Sequence, residues 1–316
     1  MPQKPIIAVA GATGAQGGGL ARAILADPAS PFAVRALTRD PGSEKARRLA
    51  ALGAEVVAAD VDDRESLARA VAGAHGLYAV TFFWDHFSPA REKAQAANLA
   101  HAAAAAGVKH AIWSTFEDTR KSVPLDDARM PTLQGAYKVP HFDAKAEADH
   151  EFTDRGVPTT FLLTSFYWDN LIHFGMGPKR GPDGVLAFTL PMGDKKLPGI
   201  AAADIGAFAY GLFKNGPEFV GKTVGVAGEH LTGAQMAASL TRALGQEVRY
   251  NAVTPDVYRG FGFPGADDLG NMFQFKADFE SLYCGNRDLA LVRRLHPSVQ
   301  TFDRWLAVNA TRIPIE

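Results

Sequence analysis

The sequence predicts an α/β protein: a doubly wound parallel sheet followed by a smaller C-terminal α/β lobe on the substrate side. Three observations predict it. Short apolar segments alternate with helical ones through the first half of the chain, a glycine-rich turn follows the first apolar segment, and the pattern changes beyond residue 165. Strands alternating with helices specify a parallel sheet covered on both faces. In order, residues 6–10 form the first strand, 11–19 the glycine turn and 20–25 the body of a helix, and residues 32–37 form the second strand. Residues 54–59, 76–81, 111–115 and 158–164 are further strands. Helices are predicted over 65–72, over the alanine-rich 92–106, whose small side chains permit tight packing, and over 142–155, which stops at Gly156. Beyond them, 175–199 is rich in Gly and Pro, 221–226 and 248–253 are strands, and 232–244 is a helix. The aromatic and glycine-rich stretch 258–275 is either a lid or an irregular core loop. These assignments give a nucleotide-binding domain at 1–165 and a smaller substrate-side or partner-side lobe at 166–316, with elements free to interleave.

The turn Gly11-Ala12-Thr13-Gly14-Ala15-Gln16-Gly17 lies between a buried strand and a helix, which is the context a Rossmann dinucleotide site requires. Gly11 permits the tight turn, Gly14 lets backbone approach a pyrophosphate, and Gly17 lets helix and strand pack closely, with helix amides facing the phosphates. The second strand ends on Thr38-Arg39, where NAD binders place an acidic residue. A guanidinium there matches a 2′-phosphate, so NADP(H) is the preferred cofactor, while Asp40 could serve the ribose and keeps NAD(H) open.

Ligands of such sheets sit beyond the carboxyl ends of the strands. That rule adds Thr13, Ala15, Gln16, Asp60, Val61, Thr81, Phe82, Phe166 and Tyr167 to the cofactor-binding candidates. Asp60 could bond an adenine amino group or cap the next helix, for which Asp63 is the better placed. Trp84, Phe87, Phe166 and Trp168 are candidate walls for a flat apolar substrate, with core packing as the competing role.

Hydride-transfer enzymes of the short-chain dehydrogenase plan need a hydroxyl for the substrate oxygen, an acid for the new alkoxide and a lysine for the ribose. Ser114 supplies the hydroxyl and Lys145 the lysine, but the tyrosine expected four residues before Lys145 is replaced by His141. An imidazole on the same helical face can donate a proton, so His141, Lys145 and Ser114 are the catalytic candidates.

With 316 residues, 47% hydrophobic and 21% charged, the chain has the composition of an ordinary globular protein. A net charge of −1 provides no general attraction to nucleic acid or an anionic membrane. One cysteine, Cys284, excludes an internal disulfide, fits a reducing compartment and is expected to be buried. The first strand begins too early for a signal peptide and no apolar run reaches membrane-spanning length, so the expected location is cytoplasmic. No histidine stands in metal-ligand spacing with another His or Cys, and no Gly-x-Ser-x-Gly motif occurs.

The glycine loop, Leu37-Thr38-Arg39, Gly53-Ala54-Glu55-Val56-Val57, Asp62-Asp63, Val80-Thr81, His141-Phe142-Asp143-Ala144-Lys145, Tyr167 with Asn170, and Gly262-Phe263-Pro264-Gly265-Ala266 with Asn271-Met272-Phe273 recur in one order in a known family. On these residues the chain resembles the NmrA-like proteins, atypical members of the short-chain dehydrogenase superfamily. The resemblance implies an NADP(H)-binding protein in which Lys145 contacts the nicotinamide ribose and Asn170 joins the cofactor-binding residues, and in which the cofactor regulates dimerisation and protein partners as a redox signal or is turned over weakly. Relatives carry further basic residues after the arginine, where this chain has Gly42-Ser43-Glu44, followed by Lys45 and Arg47. Two alternatives stand beside this reading: an NADPH-dependent reductase of a small aromatic carbonyl, quinone or imine, and an NADP-regulated transcriptional co-regulator.

Overall fold

The computed structural model describes residues 4–315. The chain forms two compact units: the first comprises the chain up to Asp118 with His141–Thr164 and Ala203–Val224, and the second Thr119–Pro140, Ser165–Ala202 and everything from Gly225 on.

The first unit is built on strands β1 (Ile6–Val9), β2 (Ala33–Thr38), β3 (Glu55–Ala58), β4 (Gly76–Ala79), β5 (His110–Thr115) and β6 (Thr159–Leu163). Between them run helices α1 (Ala15–Ala26), α2 (Glu44–Ala51), α3 (Arg64–Val71), α4 (Pro89–Ala105), α5 (Pro140–Glu147) and α6 (Asp149–Thr153). The sheet has seven strands, with Thr223–Gly225 at one edge followed by β6, β5, β4, β1, β2 and β3. The pairs from β3 to β6 are all parallel. β2 and β4 flank β1 on opposite sides, so the direction of winding reverses at β1 and opens a crevice beyond its carboxyl end, the general ligand position of doubly wound sheets. The Rossmann-type α/β fold expected from the sequence is therefore present.

The alanines of α4 explain its close packing. Ala96, Ala100 and Ala103 are fully buried with Leu77, Leu99 and Trp113 in one apolar cluster. Ser43, Asp63 and Ser88 cap α2, α3 and α4 through their side chains. Asp63 is thus the cap of α3, and Asp60 instead accepts the Asp62 N–H at 3.0 Å.

Two expectations are corrected here. The single helix over 142–155 is two, because the chain tightens into a turn at Ala148, whose carbonyl takes the Glu151 N–H three residues on. The strand near 221–226, assigned to the smaller lobe, is the edge strand Thr223–Gly225 of the large sheet. The preceding helix Ala202–Lys214 also packs on the first unit: a Cβ at Gly206 would lie 2.0 Å from the Leu20 nitrogen, and one at Gly19 would lie 2.6 Å from the Ala203 carbonyl. Gly19, on α1, therefore serves packing against the helix Ala202–Lys214.

The second unit holds two three-stranded sheets. In one, Lys196–Ile200 pairs in parallel with Phe166–Tyr167 and antiparallel with Glu229–Thr232. In the other, Leu186–Leu190 lies between Lys179–Arg180 and Val248–Ala252. Helix Gly233–Leu244 starts with a reciprocal capping box between Thr232 and Gln235 and ends at Gly245, in the left-handed region at φ +68. The stretch 258–275, expected as a lid or loop, is mostly helical: Pro255–Arg259 and Ala266–Asp278. Its Tyr258 and Phe273 are buried against each other at 5.4 Å between ring centroids, so these aromatics build core. Cys284 is half-buried and unpaired, rather than fully buried as expected.

Candidate functional site

The glycine turn after β1 has the conformation its sequence calls for. Gly11 sits at φ +60, and the Gly14 N–H closes the turn on the Gly11 carbonyl at 2.8 Å. A Cβ at Gly17 would lie 2.6 Å from the Ala10 and Gly11 carbonyl oxygens, so only glycine allows α1 to start this close to β1. No side chain caps α1 at Gly14, leaving the first-turn amides to an anion at the positive end of the helix. The Tyr78 hydroxyl, on buried β4, donates to Gln16 Oε1 at 2.5 Å and ties that first turn to the sheet. Thr13 and Ala15 complete the turn, half-buried and exposed respectively. These features fit the pyrophosphate of a dinucleotide.

Past β2, Thr38 is buried and Arg39 extends into solvent, its side chain 71% exposed and 3.7 Å from the Asp85 carboxylate. Asp40 is committed to the local turn, with Oδ1 accepting the Gly42 N–H at 2.9 Å. Past β3, Asp60 and Val61 are half-buried, and the Val61 carbonyl accepts from Asn98 Nδ2 at 3.0 Å.

The densest chemistry lies where β4 ends and α4 and α5 begin. Lys145 Nζ, on α5, donates to Thr81 Oγ1 at 2.5 Å and the Thr81 carbonyl at 3.3 Å, and lies 2.5 Å from Glu92 Oε1 on α4. Thr81 Oγ1 in turn donates to Glu92 Oε1. On the far oxygen of Glu92, His86 Nε2 stands at 3.4 Å, too poorly aligned for a hydrogen bond. His86 Nδ1 accepts the Ser88 N–H at 3.0 Å, which assigns the proton of the neutral ring to Nε2, facing the carboxylate. Burial alone would raise the pKa of Glu92; the Lys145 charge, with His86 and Thr81 beside it, outweighs burial and holds the pKa down to about 2. Lys145 also lies 5.0 Å from the centre of the Trp113 ring.

Beside this polar knot stands an aromatic wall. The His141 ring lies 4.7 Å from Trp84 and 4.7 Å from Phe142, and Phe116 stacks on Phe142 at 4.0 Å with the planes 2° apart. Phe83 and Phe87 pack on Trp84 at 5.6 Å each. Phe82 and Phe87 are exposed, Trp84 half-buried and His141 buried. Ser114 is buried on β5, paired in register with Leu162.

The structure thus brings together Thr81, Trp84, Phe87, His141 and Lys145 in the first unit. Phe166, Tyr167, Trp168 and Asn170 belong to the second. Trp168 is 1% exposed, packed on Phe302, Trp305 and Gly199, and Phe166 is buried near Phe273. Both are core residues rather than open pocket walls, a correction with a simple cause: a buried aromatic and a pocket aromatic have the same sequence signature. Tyr167 is half-buried at the end of its short strand, and Asn170 begins helix Asn170–His173.

Sequence reasoning missed Glu92, His86 and Tyr78. Glu92 had a signal, since it falls on the helical stripe of Ala96, Leu99 and Ala103, where a charge is out of place. His86 had none. Among the described residues, no group of three or more His, Cys, Asp or Glu is placed to hold a metal, and no helix is long and apolar enough to cross a membrane.

The NmrA-like family model matches residues 3–306. The chain belongs to the NmrA-like family. An NmrA-like family domain-containing oxidoreductase, FrzB of Cladobotryum sp, is 30% identical over 288 residues, covering 85% of this chain and 83% of that protein. An NAD(P)H azoreductase of Xenophilus azovorans is 31% identical over 265 residues, 82% of each. Among solved structures, NmrA, a negative transcriptional regulator, in complex with NADP superposes with a TM-score of 0.77 at 23% identity, over 97% of this chain and 95% of that one. The fold of this NmrA-like chain is accordingly that of the solved family members.

Proposed function

We propose that this NmrA-like chain binds NADP(H) across the carboxyl end of its parallel sheet and reduces a flat aromatic acceptor, a quinone, carbonyl, imine or azo compound. One observation carries the reading: the buried Lys145, locked to Thr81 and Glu92, lies next to an aromatic wall at the same end of the sheet as the glycine turn. The oxidoreductase and azoreductase names of its relatives support it, as does the NADP complex of NmrA.

In this reading the uncapped first turn of α1 holds the pyrophosphate, Arg39 the 2′-phosphate and Lys145 the nicotinamide ribose. NADPH supplies the hydride when bound. Trp84 and Phe87 hold the planar acceptor by stacking and keep water from one face. His141, at the position where the short-chain dehydrogenase plan has its tyrosine acid, donates the proton.

A second reading, a cofactor sensor with little turnover, is favoured by the same replacement, because the His141 ring is packed among Phe83, Trp84, Phe116 and Phe142. Calorimetric titration with NADPH, NADP, NADH and NAD, followed by NADPH oxidation assays over a panel of quinones, azo dyes, imines and aromatic aldehydes, separates the two. Steady oxidation with one compound class that disappears in Lys145→Ala supports the reductase. Tight NADPH binding with no oxidation across the panel supports the sensor, and absence of binding to every dinucleotide overturns both.

A further inference from the structure

We propose that Glu92 is the positioning residue of Lys145, with His86 as its support. The proposal rests on the reading that Lys145 holds the nicotinamide ribose. An ammonium has three N–H donors, and here they converge on Glu92 Oε1, Thr81 Oγ1 and, more loosely at 3.3 Å, the Thr81 carbonyl. The first two contacts are short and tied to each other, because the Thr81 hydroxyl donates to the same carboxylate oxygen. The third is long, so it is the donor that turns to a ribose hydroxyl at little cost. Glu92 therefore fixes two donors and leaves one available.

Helix packing gives no reason for this carboxylate. Apart from Gln95, which bonds Asp62 instead, its buried stripe of α4 continues as Ala96, Leu99 and Ala103, and an apolar side chain would bury there without the desolvation cost of an ion pair. Behind the carboxylate stands the His86 ring, 3.4 Å from Oε2, an electrostatic contact without a hydrogen bond. His86 turns Nε2–H toward Oε2 because Nδ1 is committed to the Ser88 amide, so the ring cannot rotate without losing that bond. The order of support runs from the Ser88 backbone to His86, Glu92 and Lys145 Nζ.

A double-mutant cycle on NADPH affinity, read by calorimetry on full-length variants that still melt cooperatively, tests this. Lys145→Ala is expected to weaken NADPH by about tenfold or more, the size of one charge-assisted hydrogen bond. Glu92→Gln is expected to produce most of that loss in the wild-type background and none in the Lys145→Ala background. Equal loss in both backgrounds means Glu92 merely supports the fold and overturns the proposal, as does full affinity in Glu92→Gln. Unchanged affinity in Lys145→Ala overturns the ribose reading instead. Where Glu92→Gln does not fold, His86 carries the test. His86→Ala is expected to weaken NADPH severalfold, and His86→Gln, which keeps an N–H donor, to restore it, both only while Lys145 is present. Affinity insensitive to either His86 variant, or lost equally without Lys145, overturns the proposal.

Discussion

Lys145 Nζ and Glu92 Oε1 lie 2.5 Å apart with their side chains 7% and 0% exposed, which makes them a buried ion pair at the end of β4. Removing one partner of such a pair strands the other charge. Glu92→Ala is therefore expected to cost about 3–5 kcal/mol of stability, whereas the double replacement Glu92→Leu with Lys145→Met is expected to recover most of it. Urea unfolding of the three proteins measures both values. A double variant no more stable than Glu92→Ala contradicts the account.

Tyr78 gives a second test, at the pyrophosphate end. Its hydroxyl holds Gln16 in the first turn of α1, and removing it leaves the ring's packing intact. Tyr78→Phe is expected to lose about 1 kcal/mol of stability. Binding of NADPH and NADH is expected to weaken by the same factor, since the pyrophosphate proposed to sit at this turn is common to both. A selective effect on one cofactor counts against this placement.

How far these sites were legible depends on the range of the forces that make them. The glycine turn was legible because Gly11, Gly14 and Gly17 satisfy backbone requirements set within a few residues, and the φ of +60 at Gly11 and the close carbonyls at Gly17 bear this out. His141 and Lys145 were found by spacing on one helix. Glu92, the ion-pair partner of Lys145, and His86 behind that carboxylate were not, because they come together with Lys145 and Thr81 only after α4 and α5 pack on the sheet. The edge strand Thr223–Gly225 was recognised as a strand but assigned to the wrong unit, since three residues do not encode which sheet they join. Trp168 failed for the opposite reason: its position after a strand matched the ligand rule, and its burial on Phe302 and Trp305 was invisible.

Arg39 and Asp85 form an exposed contact at 3.7 Å between the segment after β2 and the one after β4, flanking β1 on either side. If Arg39 takes a 2′-phosphate, the Asp85 carboxylate competes with it for the guanidinium. Asp85→Asn is expected to tighten NADPH binding severalfold and leave NADH nearly unchanged. Arg39→Ala is expected to weaken NADPH by about ten- to a hundredfold, in the range of a lost charged hydrogen bond, again sparing NADH. The dissociation constants of the native chain and both variants for NADPH and NADH at fixed ionic strength decide it, and parallel changes for both cofactors exclude Arg39 as the 2′-phosphate ligand.

His110 predicts how the fold responds to acid. The Thr160 hydroxyl donates to the Phe219 carbonyl at 2.8 Å, so toward His110 it can only accept, and Nε2 must carry the ring proton across the 2.8 Å contact. Nδ1 is then bare, buried and without a hydrogen-bond partner. Protonating it would bury an unpaired charge. Burial, with a smaller contribution from the His75 charge, pushes the ring down from 6.5 to about 4. Because the unfolded chain takes up this proton more readily than the folded one, the contribution of His110 is complete above pH 6.5 and is lost as pH falls from there through about 4. The loss amounts to about 3 kcal/mol at its limit. His110→Gln keeps a donor for Thr160 and cannot titrate, so it is expected to be less stable than the native chain at pH 8 and to lose less stability on acidification. Urea midpoints of both proteins from pH 8 to pH 4 test this, and parallel curves through the whole range rule out a neutral buried His110 as the acid-sensitive group.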